Sequence, residues 1–78
     1  MLELPKYKIG DIILRTFNKY DYSDYYVWTI IRRIKEIHTD YYITDVLNKQ
    51  RPVMTKLYFD RANTSYRLML KAEQVIYL

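Results

Sequence analysis

The stretch from Tyr25 to Val46, YYVWTIIRRIKEIHTDYYITDV, constrains the fold most: it holds the single Trp, the single His and five of the nine Ile. The pieces on either side are shorter and need this segment as a packing surface. Val27, Ile30, Ile31, Ile34 and Ile37 recur at i, i+3, i+4, i+7 and i+10, and Ser23 or Asp24 could cap them, so a helix over residues 24–37 is one reading. The apolar residues are nearly all β-branched or aromatic, however, types that lose side-chain freedom in a helix and pack well on a pleated surface. A strand with a bulge at Arg32–Arg33 accounts for the same pattern and is the reading preferred. Trp28, Ile30, Ile34, Ile37 and Ile43 then form the expected structural centre. His38, Thr39 and Asp40 make a tight turn into the returning strand YYITDV.

In KIGDIILRTF, Gly10 and Asp11 supply a turn or bulge; Ile12 and Leu14 then fall on one face and Ile13 and Arg15 on the other. NKYDYSDYY, residues 18–26, mixes turn formers with aromatics and reads as the longest loop. LNKQRP is a second loop, VMTKLYF a fourth strand with Leu57 and Phe59 inward, and DRANTS a turn. The last segment, YRLMLKAEQVIYL, is ambiguous, because Tyr66, Leu68 and Leu70 alternate as in a strand while Arg67 to Gln74 are almost all strong helix formers; the reading preferred is a fifth strand to Leu70, a short 3₁₀ turn at Ala72 to Gln74 and a closing strand from Val75 to Leu78.

At 78 residues the chain is a single domain, 1–78, with a small core. Without Cys it has neither disulfides nor thiolate metal sites. Its apolar runs are too short to span a membrane and its N-terminus lacks a signal-peptide pattern, so a cytoplasmic location is expected. Catalytic constellations are nearly missing: one His cannot build a two-His metal site, Ser23 and Ser65 lack a partner base, and one Gly makes no phosphate loop. A non-enzymatic protein with no cofactor and no metal follows.

The order of IGDIIL, then VWTIIRRI with its turn and YYITDV, then LMLKAEQVIYL resembles an SH3-like small barrel. The resemblance implies a mostly β domain: about five antiparallel strands closed into a barrel, with one short 3₁₀ turn near the C-terminus. The alternative is α+β with the helix at 24–37. YDY at Tyr20 to Tyr22 is similar to the aromatic motif of peptide-binding SH3 domains, but it lies after the first strand and lacks the accompanying tandem Trp. The folate-site motif of the similarly small type II dihydrofolate reductases falls on Arg67, Leu68, Met69 and Leu70, which do not match it.

Two binding surfaces emerge. The charge is +4, with 13 Lys and Arg against 9 Asp and Glu, which suits a polyanion. Arg32, Arg33 and Lys35 cluster in the central strand, Arg61, Arg67 and Lys71 recur near the C-terminus, and Tyr42, Tyr58 and Tyr66 lie among them. Interleaved cations and aromatic rings are what single-stranded nucleic acid requires, because bases stack and phosphates take the charge. The rival surface is the loop bearing Tyr20, Asp21, Tyr22, Asp24, Tyr25 and Tyr26, whose composition is typical of protein–protein contacts. It would suit an intracellular protein partner of a small phage- or mobile-element-type inhibitor or adaptor. A homodimer through an unpaired edge strand is a further expectation.

Overall fold

The computed structural model describes residues 4–21, 24–49 and 53–77, with the backbone alone for 19–21, 24–27 and 77. The chain is mostly β. β1 (Ile12–Asp21), β2 (Asp24–Ile37), β3 (Tyr41–Val46) and β4 (Val53–Tyr58) lead into helix α1 (Phe59–Ser65), and the two-residue β5 (Arg67–Leu68) into helix α2 (Lys71–Tyr77). All pairings are antiparallel, and the strands lie side by side in the order β4-β3-β2-β1-β5.

The entry turn is set by Gly10, whose φ is 94°, in the left-handed region. Its amide donates to the Ile34 carbonyl at 2.9 Å, while the Asp11 carboxylate accepts the Lys8 amide at 2.9 Å. β1 then runs through IIL with both faces buried. Ile13 packs with Tyr7, Ile34, Tyr42, Leu57, Phe59, Ala62 and Tyr66, whereas Ile12 and Leu14 pack with Ile31 and Met69 on the opposite face, flanked by Leu47. Two small cores therefore share one sheet. The first is roofed by α1, whose apolar residues Phe59 and Ala62 are three apart and fall on one side. The second is closed by the β5–α2 connection, where the Met69 amide donates to the Ile12 carbonyl at 2.8 Å.

Residues 24–37 are strand, the reading preferred from sequence over the helix alternative. Several other expectations are corrected. The bulge is present but lies at Lys35, between the Ile34 and Glu36 pairings, two residues beyond the Arg32–Arg33 position expected from sequence. Segment 18–26 is not a long loop: Asn18 to Asp21 and Asp24 to Tyr26 extend the β1–β2 ladder as far as Asp21 opposite Asp24. DRANTS is helical, because Phe59 and Ala62 gain burial only if the chain coils over the sheet. At the C-terminus a seven-residue α-helix replaces the 3₁₀ turn and closing strand. Its cap is local: Glu73 accepts the Leu70 amide at 3.0 Å and holds Arg67 through both oxygens, at 2.8 and 2.6 Å. Lacking a closing strand, the sheet is open, with β4 and β5 as its edges and not a closed barrel. No described helix is long and apolar enough to cross a membrane.

The expected centre is also redistributed. Ile34 is fully buried and Ile30 and Ile43 are half-buried, but Ile37 is exposed and Trp28 is 44% exposed.

Candidate functional site

On the face of the sheet that carries Ile13, the register places Arg15 beside Ile30 and Phe17 beside Trp28, with Arg32 next to Ile13. These residues alternate along their strands, so Arg15 and Phe17 on β1 and Ile30 and Arg32 on β2 form one wall of a cleft of about 690 Å³. Thr39 and Asp40 of the β2–β3 turn, Lys56 to Tyr58 of β4, Phe59 to Arg61 of α1, and Tyr66 complete it. The hairpin turn and the helix are tied together: the Phe59 amide donates to the Asp40 carbonyl at 3.0 Å.

Arg32 is the organising side chain. Its Nε donates to the Tyr66 hydroxyl at 2.9 Å, and Nη1 donates to the Thr44 hydroxyl at 3.0 Å and to the Thr55 hydroxyl. The guanidinium also lies 5.7 Å from the Tyr66 ring centre. It is half-buried, and among the described residues no carboxylate comes within ion-pair distance of it. The hydroxyl acceptors are themselves fixed. Thr44, wholly buried, gives its proton to the Thr55 carbonyl at 3.3 Å, and the Tyr66 carbonyl accepts the Tyr7 hydroxyl at 3.0 Å. Burial, then the neighbouring Tyr42 and Asp11, raises the Tyr7 phenol above its ordinary pKa, so it remains a proton donor.

Outward along the same face the cleft continues into a stack. The Arg15 guanidinium sits 4.1 Å from the Phe17 ring centre, and Phe17 lies 5.3 Å from Trp28 with their planes 12° apart. On the opposite face, near the turn, Lys56 lies 4.6 Å from the Tyr41 ring, which is stacked on His38 and tilted against Tyr58.

Of the residues singled out from sequence, Arg32, Tyr58, Arg61 and Tyr66 meet at this cleft. The others do not. Arg33 is next to Arg32 in a strand and so points to the opposite face, opposite Ile12. Lys35, in the bulge, pairs with Asp45 at 3.5 Å, Arg67 is held by Glu73, and Lys71 lies exposed on α2. Tyr42, expected on the surface, is fully buried; its hydroxyl accepts the Lys6 and Tyr7 amides at 2.8 and 3.1 Å, pinning the N-terminal segment to the sheet. Tyr66 is likewise buried and reaches the cleft only as a support for Arg32. Of the rival surface, Tyr22 and the side chains of Tyr20, Asp21, Asp24, Tyr25 and Tyr26 lie outside the described residues.

Arg15, Phe17, Lys56 and the exposed side of Trp28 were not picked out from sequence. The alternation Arg15, Phe17 was legible, but its functional weight comes from pairing with Ile30 and Trp28, which only the register supplies. Among the described residues, no group of three His, Asp or Glu side chains is placed to hold a metal ion. No protein-family model, curated protein or solved structure matches this chain.

Proposed function

We propose that the chain is a non-enzymatic binding module that captures single-stranded nucleic acid in the cleft beside Arg32 and on the adjoining Phe17–Trp28 stack. The observation that carries this is a half-buried arginine whose partners are all neutral hydroxyls, facing a cleft shared with Arg15 and Arg61. A partly buried guanidinium bonded only to neutral hydroxyls has no counter-ion of its own, and an anion entering the cleft gains a charge-assisted hydrogen bond from it. The exposed Trp28, stacked on Phe17, offers a flat ring of the kind that unpaired bases stack on, at about 1–3 kcal/mol per base. Duplex bases, already stacked on each other, have no face to give.

An SH3-like relationship fits the same reading. Five antiparallel strands in the order β4-β3-β2-β1-β5, with a long β1–β2 hairpin and a helical turn between β4 and β5, follow the chain path of that small-barrel class, left open here at the β4 and β5 edges.

Fluorescence anisotropy with labelled oligonucleotides tests the function. Binding of single strands should exceed that of a duplex of equal length. If Arg15, Arg32 and Arg61 each meet a phosphate, the log–log salt slope should be about −2. Absence of binding at low salt, or a slope near zero, refutes it.

A further inference from the structure

Building on the nucleic-acid reading, we propose that Arg32 is a dedicated seat for one phosphate group, distinct from the diffuse attraction of the surrounding cations. A guanidinium has five N–H donors. Here the Nε proton goes to Tyr66 and the two Nη1 protons to Thr44 and Thr55, which leaves the two protons of Nη2 with no partner among the described residues. Two of the three acceptor residues are held in place by further bonds. Thr44 is locked by its own bond to the Thr55 carbonyl, and Tyr66 is held at its amide by the Ala62 carbonyl at 3.3 Å and at its carbonyl by Tyr7. The arginine is thus set in one orientation before any ligand arrives, which lowers the entropy lost on binding.

The donors left over also select the anion. A carboxylate binds arginine best through two parallel N–H···O bonds from two nitrogens. With Nε and Nη1 occupied, that two-nitrogen fork is not available, and a carboxylate would be held at Nη2 alone. A phosphate directs its oxygens to several sides, so it can accept Nη2 and still take contacts from Arg15 or Arg61 on the other walls of the cleft. Asp40 and Asp60 stand at the same cleft, and neither is within ion-pair distance of Arg32. Their charge opposes any anion entering the cleft, so the preference for phosphate rests on the donor geometry of Arg32 alone.

The test is nuclear magnetic resonance of the full chain, following the Arg32 Nε–H and the Thr44 and Thr55 amides. Four probes are titrated at equal ionic strength: a nucleoside 5′-monophosphate, the matching nucleoside, inorganic phosphate and acetate. The two phosphates should shift these signals, and the nucleoside and acetate should leave them in place. Arg32→Gln should abolish the shifts and reduce the oligonucleotide salt slope by about 0.7, the share of one phosphate. If Arg32→Gln does not fold, Tyr66→Phe removes only the hydroxyl that fixes Nε, and should weaken phosphate capture several-fold with an unchanged circular dichroism spectrum. Oligonucleotides that bind while neither phosphate shifts Arg32 would overturn the seat and leave the nucleic-acid reading intact. Phosphate shifts at Arg32 without oligonucleotide binding would uphold the seat and assign it to another phosphorylated partner, such as a phosphopeptide.

Discussion

Gly10 holds the hinge between the N-terminal segment and β1 at φ 94°, and a Cβ built there would meet no atom within 4 Å. Any cost of a side chain at this position is therefore backbone strain alone, about 1–2 kcal/mol. Gly10→Ala should lower stability by that amount in urea melts, and an unchanged midpoint would show that the turn relaxes. Trp28 argues the other way. A core Trp replaced by Ala costs about 3–5 kcal/mol, but Trp28 is 44% exposed and touches Phe17 from the side of the cleft. Trp28→Ala should cost clearly less than the core value while weakening single-strand binding about 5- to 150-fold, the equivalent of one lost stacked base. Loss of folding with the substitution would return Trp28 to the structural role its sequence context suggested.

At the scale of elements, the strand at residues 24–37 shows what the sequence could reveal and what it could not. Ile31 and Ile34 are three apart, as on a helix face, yet in a strand an odd spacing sends them to opposite sides, and each is buried in a different core. A strand covered on both faces imitates a helical pattern, so β-branching was the better guide to its type. The hairpin turn at His38 to Asp40 and the inward Leu57 and Phe59 were legible for the same local reasons. The extent of β1–β2 was not, because tyrosines and aspartates carry no apolar alternation even when their backbone is paired. The basic site was legible only in part: Arg32 and Arg61 line the cleft, but adjacent cations such as Arg32 and Arg33 part to opposite faces once the chain is extended. Helix α2 was hidden by alternating Tyr66, Leu68 and Leu70, and its strong helix formers were the signal to follow. It rests on Glu73, whose carboxyl is drawn down to a pKa of about 2, first by the Arg67 guanidinium and then by the Leu70 amide. An unfolded Glu titrates near 4.3. A depressed acid stabilises the fold above the unfolded value, and that contribution is lost as pH falls from about 4 towards 2. Helical signal from residues 71–77 should fade across that window, and in Glu73→Gln it should be weaker already at neutral pH; an acid-insensitive helix would count against the clamp.

For the whole molecule the two cores are joined more closely than two layers usually are. Ile12, Ile13 and Leu14 are consecutive, and their side chains alternate between the core under α1 and the core under Met69. Neither core can melt while β1 stays extended for the other, because the same backbone bonds to β2 hold both in register. A chain of this length has only about 4–12 kcal/mol of stability in total, so losing either core should exhaust much of it. Phe59→Ala, in the first core, should cost about 3–5 kcal/mol, and Met69→Ala, in the second, about 2–5 kcal/mol. Both should lower a single shared transition. Thermal melts followed by Trp28 fluorescence and by far-ultraviolet circular dichroism should coincide in the parent and in both variants. If Met69→Ala instead produces an early, separate transition while Trp28 reports no change, the second core is an appendage of the first, and the β1–β2 hairpin carrying the cleft is anchored by α1, Tyr7 and Tyr66 alone.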